Sequence, residues 1–354
     1  MNARPRNCHL CTMQLSLPDF LTLRHQLPVV DVRSEGEFDE GHIRAALNVP
    51  LLNNEERHRV GTTYKQQGQH AAIREGFRLV GPRLDAIIQH TEEISQGREL
   101  LIHCWRGGMR SNNFAQFVAM AGIRSRVLQG GYKTYRQAAL QAFQQPLKLI
   151  LLTGFTGSGK TEILQALRQA GEQVIDLEGL AHHRGSAFGG LFMPPQPTTE
   201  QFQNELFEEI LSIDKSRTIW IEDESIAIGK IFLPPDFWQH MMLAPIVQVE
   251  VPLETRIARL VRDYGHAPKD EFSEIMKKIR KKLGGQHLKS AHERLLADDM
   301  EAVMEILLTY YDKAYRQSIE KRSARLRASF SWSGEGMVEL VHSLVDHKVA
   351  LKYE

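Results

Sequence analysis

The chain has 354 residues, 42% apolar and 25% charged, with a net charge of +1, which is enough for roughly two domains of ~150 residues each. A charge this close to zero excludes a uniformly basic nucleic-acid binder, so any basic surface must be local. Three cysteines exclude a disulfide framework and fit a reducing compartment, and no apolar run nears the ~18 residues of a membrane helix; the expectation is a cytoplasmic protein with no membrane partner.

Arg4 and Arg6 precede no apolar stretch, so no secretory signal is predicted. Cys8 and Cys11 form a CxxC without a second pair, and residues 1–14 read as a disordered leader, with Met13 an alternative start. Residues 28–32 (PVVDV) and 100–104 (LLIHC) read as buried strands, 112–121 as a helix packed by Phe114, Phe117 and Val118, and 127–128 as a third strand closed by Gly130-Gly131. Strand, helix, strand in this order implies a parallel sheet. A short polar stretch with a proline, 144–146, marks a boundary. The same grammar then restarts: a strand at 147–153, a Gly-rich turn at 154–161, a helix at 162–170, and strands at 172–177, 218–222 and 246–251. From Pro252 onward the chain reads as helical and charged. The predicted fold is α/β in two domains, 15–143 and 147–354, the second with a mainly helical C-terminal part.

Cys104 closes a predicted strand and is followed by Trp105, Arg106, Gly107, Gly108, Met109 and Arg110 before a helix. A Gly-rich turn running into a helix N-terminus gathers backbone N–H groups around an anion site. The same positive field favours the thiolate, so Cys104 is a candidate nucleophile that holds sulfur or selenium as a persulfide or perselenide. Arg106, Gly107 and Gly108 are candidate anion ligands and Arg110 a catalytic partner. Upstream, Asp31-Val32-Arg33, Glu37-Phe38, Gly41-His42-Ile43, Ala46, Asn48 and Pro50 resemble the rhodanese signature, over about residues 15–140. Common sulfurtransferases place four residues between Cys and Arg. Here there are five, as in tyrosine-phosphatase loops, which makes room for a phosphate-bearing donor and leaves a phosphatase as a rival.

Gly154 to Thr161 satisfies G-x-x-x-x-G-K-[ST] between a predicted strand and helix. Gly154, Thr156, Gly157, Ser158 and Gly159 are expected to cradle a diphosphate, Lys160 to neutralise its terminal oxygens and Thr161 to ligate Mg²⁺. The motif specifies phosphate, not ATP. Glu222 and Asp223 follow an apolar run and are the expected metal ligands or base. Between them, Asp176, Glu178, His183, Arg184 and Ser186 follow a strand, where ligand crevices form; Asp176 is the candidate catalytic base, and the others are candidate phosphate or RNA contacts. Residues 256–294 carry eleven Lys/Arg and five Asp/Glu. Lys277, Lys278, Arg280, Lys281 and Lys282 are the densest run, and with Tyr264, Tyr310, Tyr311 and Tyr315 nearby they read as an RNA surface.

Taken together, GTTYKQQG at 61–68, the Cys104 loop, Gln129-Gly130-Gly131-Tyr132-Lys133, GFTGSGKT at 154–161, DLEGLAHHRGSAFG at 176–189 and EDES at 222–225 resemble the tRNA 2-selenouridine synthase family over nearly the whole chain. The resemblance implies a transferase that replaces the 2-thio sulfur of the tRNA wobble uridine by selenium. It also implies selenophosphate and geranyl diphosphate as co-substrates, an S-geranyl intermediate, no tightly bound cofactor, and a selenophosphate-supplying enzyme as partner. Two other readings of the motifs stay open: a rhodanese-fold phosphatase fused to a small-molecule kinase, and a tRNA-binding sulfur carrier.

Overall fold

Short runs of branched apolar residues become fully buried strands in both halves of the chain, as parallel sheets covered on two faces require. The computed structural model describes residues 13–350, and the chain divides between Ala142 and Phe143 into two units.

In the first unit, β1 (Met13–Leu15), β2 (Val29–Asp31), β3 (Ala46–Asn48), β4 (Leu100–His103) and β5 (Ser125–Leu128) form one sheet in the order β1-β5-β4-β2-β3. Every pairing is parallel. The three expected strands are the central ones. The two edges, three residues each, carry no readable pattern and exist through their pairing. β1 corrects the expected leader: Met13 and Gln14 lie in register with Arg126 and Val127. Residues 1–12, with Cys8 and Cys11, lie outside the described residues. Val30, Leu100, Ile102, Phe114, Val118 and Val127 form the core.

The carboxyl end of β2 carries a buried ion pair. Arg33, wholly buried, donates through Nε to both oxygens of Asp31 (3.0 and 2.9 Å) and through Nη2 to Asp31 Oδ2 (2.6 Å) and the Gly41 carbonyl (2.7 Å). Its guanidinium lies 3.9 Å from the centre of the Tyr132 ring. Burial pushes the Asp31 carboxyl up, but His103 and Arg33 outweigh it and hold it below its ordinary value. Asn48 donates to the carbonyls of Asp31 and Arg33 (3.0 and 2.9 Å), and Val32 N–H to the His103 carbonyl (3.0 Å). These contacts bind the end of β2 to the end of β4, where Cys104 follows.

In the second unit, β6 (Leu149–Thr153), β7 (Gln173–Ile175), β8 (Ile219–Glu222), β11 (Ile246–Glu250) and β12 (Leu326–Ser331) form a parallel sheet in the order β12-β11-β6-β8-β7. A separate antiparallel hairpin joins β9 (Ala227–Ile228) to β10 (Ile231–Phe232). β12 departs from the expected helical tail. It alternates half-buried and exposed residues, as an edge strand does, and reaches β11 only after five helices. Those helices, from Leu253–Tyr264 to Met300–Lys321, enclose their own core of Phe272, Met276, Leu283, Leu295 and Leu307. The last helix, Met337–Ala350, brings Leu340, Val341 and Leu344 onto Trp332 and the wholly buried Trp220. Among the described residues no helix is long and apolar enough to cross a membrane.

Removing one partner of a buried ion pair leaves an uncompensated charge, at a cost of about 3–5 kcal/mol. Arg33→Met is therefore expected to strip hydrogen-exchange protection from β2 and β4 selectively, with the second unit unchanged. Unaltered protection in both strands would show the pair to be dispensable.

Candidate functional site

Cys104 lies just past β4, its thiol buried and 3.2 Å from the Ser111 hydroxyl. The loop is held from beneath: Tyr132 and Lys133 donate N–H to the carbonyls of Cys104 and Trp105, each at 2.9 Å. Gly107 and Gly131 both take φ of +62° at this crossing. A Cβ on Gly107 would sit 2.6 Å from the Leu128 carbonyl, and one on Gly131 would strike the Cys104 carbonyl, so only glycine lets the two loops approach. The twelve-residue helix Met109–Met120 starts at the loop's end, three residues earlier than expected, with Gly108 as its N-cap. Its N-terminus supplies the positive end of a helix dipole.

The structure places Arg110 otherwise than expected. It forms a fork with Glu37 (Nη1–Oε2 2.6 Å, Nη2–Oε1 3.1 Å), and Glu37 also takes Arg57 at 2.9 Å. Glu37 is at once the capping-box residue of the helix Glu35–Glu40. Arg110 is thus a clamped guanidinium that shapes the loop, while Arg106 is exposed. His103, buried beside Asp31, has its pKa pushed down to about 4 by burial and stays neutral. An apolar cleft of about 140 Å³ runs up to Arg110 and Met109, walled by Leu52, Val60, Phe77 and Phe117. Ser111 and this cleft were not read from the sequence.

In the second unit the P-loop leaves β6 at the centre of the sheet and caps the helix Lys160–Gln169. Gly157 and Gly159 hold φ of +82° and +79°. A Cβ on Gly154 would come within 2.6 Å of the Ser158 hydroxyl and 2.8 Å of the Val249 carbonyl. The loop lines a cavity of about 320 Å³ with Thr156, Lys160, Thr161, Glu178, Arg184 and Ser186 among its walls. Burial works against the Lys160 charge, yet Tyr315, Glu178, Glu224 and Asp223 outweigh it and raise its pKa above the ordinary lysine value.

The helix Leu253–Tyr264 braces this loop from outside. Arg256 is fork-bonded to Asp312 (2.8 and 2.7 Å) and donates to the Thr156 carbonyl (3.2 Å); Arg259 donates to the Gly157 carbonyl (3.2 Å); Arg262 reaches Glu162 (2.8 Å). Spaced three apart, all three face one side of the helix. Three members of the expected basic RNA patch therefore belong to the P-loop, and so do Tyr264, Tyr311 and Tyr315, which line its cavity. None of these partnerships is visible in sequence, because the partners stand 56 to 102 residues apart.

Comparison with known proteins adds what geometry alone does not. The profile described as the tRNA 2-selenouridine synthase AAA domain matches residues 147–345, and that of the rhodanese-like domain matches 17–138. A tRNA 2-selenouridine synthase of Nitrosomonas europaea is 33% identical, covering 89% of this chain and 94% of its own. Another, from Shewanella woodyi, is 35% identical, covering 90% and 94%. The chain belongs to the tRNA 2-selenouridine synthase family.

In this synthase-family chain three of the expected acids and one histidine are held in the fold as follows. Asp176 caps the helix Leu177–Ala181 by accepting from Gly179 N–H (2.6 Å) and does not line the cavity. Glu222 is wholly buried, accepts from Leu177 N–H (2.9 Å), and is pushed well above its ordinary pKa by burial and then by Asp176 and Glu178. Asp223 accepts from Thr153 (2.8 Å) and is forked by Arg322. His183 packs against Gly189, with its pKa lowered by burial. Of the acids lining the P-loop cavity, Glu178 accepts from the Thr161 hydroxyl (3.0 Å); Glu224, absent from the expected set, lines a neighbouring cavity and acts on Lys160. Lys277, Lys278, Arg280, Lys281 and Lys282 all stand exposed on the helices Lys269–Lys278 and Arg280–Leu283, with Lys277 paired to Glu274.

Burial first, then the Glu178 charge and hydrogen bond, lift the Glu224 pKa to about 8 against the pull of Lys160, so this carboxyl is largely protonated at neutral pH. The folded pKa lies above the ordinary 4.5. The folded state therefore holds more protons than the unfolded one between those values, and stability falls as pH rises across that window. Glu224→Gln is expected to flatten this slope in metal-free unfolding titrations, and an unchanged slope would show that Glu224 does not titrate there.

Proposed function

We propose that the chain is an enzyme acting on tRNA that replaces the 2-thio sulfur of the wobble uridine by selenium from selenophosphate, by way of an S-geranyl intermediate. Family membership supports the tRNA substrate. The observation that carries the two-step chemistry is the pairing, in one chain, of a cysteine loop flanked by an apolar cleft with a P-loop cavity walled by Lys160, Arg184 and Arg259.

In the first step the P-loop glycines and Lys160 bind geranyl diphosphate. The thiocarbonyl sulfur attacks C1 of the geranyl group, the C–O bond breaks, diphosphate takes the electron pair and the N3 proton passes to solvent. Lys160 and the helix N-terminus stabilise the departing charge. Thr161 and Glu178 are hard oxygen donors that suit Mg²⁺, which would neutralise the same charge.

In the second step selenium attacks C2, the C2–S bond breaks and geranylthiolate leaves; hydrolysis of the remaining Se–P bond releases phosphate. Selenium in selenophosphate is already at the selenide level. Passing it to Cys104 as a perselenide would need an oxidant that the reaction does not supply. Cys104 and Ser111 therefore orient the donor within the loop, and the apolar cleft beside Arg110 suits the geranyl chain. The exposed basic helices take tRNA phosphates, and an enzyme that makes selenophosphate supplies the donor.

Nucleoside mass spectrometry of 2-thiouridine tRNA, with geranyl diphosphate and selenophosphate added separately and together, tests the sequence of steps. Cys104→Ala should abolish selenation and leave geranylation largely intact, whereas Lys160→Ala should slow geranylation by about 10²–10³-fold. Full selenation by Cys104→Ala would remove Cys104 from the reaction. Turnover of ATP without tRNA would favour the phosphatase–kinase alternative.

A further inference from the structure

In the first unit the apolar cleft beside Arg110 adjoins a second, wider depression of about 460 Å³, with which it shares Leu52, Val60, Tyr64 and Arg110. The two linings differ in kind. Arg110 is the charged member of the cleft. The depression is lined by Arg57, His58, Lys65 and Arg110, and by no acid among the described residues. Glu37 pairs with both Arg57 and Arg110, so one carboxylate stands against two guanidiniums, and Arg57, His58 and Lys65 are exposed. At the cleft itself Tyr64, Phe77 and Met109 are each more than half exposed, at 54%, 57% and 51%. Single exposed apolar residues are ordinary, but a cluster of them rimmed by charge marks a binding surface.

The helix Asn54–Gln67 supplies most of the depression. Arg57, Gly61 and Lys65 recur every four residues on one face, and Val60 and Tyr64 stand on the side turned to the cleft. Gly61 departs from the helix rule, because glycine is among the poorest residues for a helix interior. No left-handed dihedral requires it, and a Cβ there would meet nothing within 4 Å. The fold has no use for this gap. A ligand laid closely along the helix does.

We propose that this composite groove is the RNA-reading surface of the first unit, and that its occupant is the S-prenylated nucleotide within its single strand. Phosphates lie along Arg57 and Lys65, a neighbouring base stacks on Tyr64, and the prenyl chain enters the cleft. A basic stretch joined to an apolar one is complementary to a polyanion that carries an apolar branch. Free geranyl diphosphate combines the same two chemistries, but Arg57 to Lys65 spans about 12 Å of helix, more than one diphosphate needs. The inference rests on the S-geranyl intermediate proposed above and names the surface that reads it.

A 2-thiouridine anticodon stem-loop, geranylated chemically, and its unprenylated twin are titrated against the full-length protein by fluorescence anisotropy. Each buried methylene is worth about fourfold in affinity, so the geranylated strand should bind at least about tenfold tighter than its twin. Phe77→Ala, which removes one wall of the cleft, should cut that preference by about threefold or more. Gly61→Leu, which fills the depression, should weaken both strands by about tenfold. Its unfolding midpoint should stay at or above that of the wild type, because leucine is the better helix former, so the loss cannot come from misfolding. Lys65→Ala should lower the slope of log affinity against log salt by about one. Unchanged affinity in Gly61→Leu together with an unchanged salt slope in Lys65→Ala would overturn the groove. Loss of geranyl diphosphate binding in Lys65→Ala, with RNA binding intact, would overturn it in favour of the free diphosphate. The expected variant effects in a protein that forms no S-geranyl nucleoside would sink the alkylation and keep the groove. Normal geranylation with no variant effect on binding would sink the groove alone.

Discussion

A parallel strand can only deliver its chain to the carboxyl edge of the sheet, and the helix that follows must begin there. Both units use this constraint in the same way. β4 hands over to the Cys104 loop and the helix Met109–Met120, and β6 hands over to the P-loop and the helix Lys160–Gln169. Each loop turns at positive-φ glycines, because the main chain must double back within a few residues of a strand end. The positive ends of the two helices are therefore placed by topology, before any side chain is chosen. What differs is the group set against that field: a buried thiol in the first unit, an ammonium in the second.

The surroundings of each loop then decide what can be held there. Around Cys104 the strongest charges neutralise one another. Asp31 is matched by Arg33, and Glu37 by Arg110 and Arg57. The loop is stiffened by these pairs, and its open side is apolar. Around Lys160 the balance is different. Glu178 and Glu224 both act on the ammonium, and arginines from a separate helix grip the P-loop carbonyls.

How much was legible in the sequence follows from how local each feature is. The central strands, the P-loop and the cysteine turn are contiguous, and their residues state their roles within a dozen positions. Glu37 meets Arg110 across 73 residues and Arg256 meets Asp312 across 56; nothing in either local sequence announces the partner. The partners of the acids were hidden for a related reason. Glu222, Asp223 and Glu224 are consecutive, but at a strand end each points a different way: into the sheet, to Arg322 and to Glu178. The basic run was read as one surface because charge can be counted along a chain, whereas helical phase buries Arg256 and Arg259 and leaves Arg262, Lys277, Lys278, Arg280, Lys281 and Lys282 exposed. β12 was missed because an alternating edge strand after five helices has no contrast to mark it.

Tyr315 closes both cavities of the second unit and lies 5.6 Å from the Lys160 ammonium. A side chain common to two binding sites ties their occupancies together thermodynamically. Any shift of the ring that improves one ligand's fit alters the other's, and the coupling free energy is the same read from either side. An occupant of one cavity that moved Tyr315 would change the other cavity's hold on its own occupant by an equal factor. The order in which the two ligands arrive then affects the rates of filling but not the stability of the filled state.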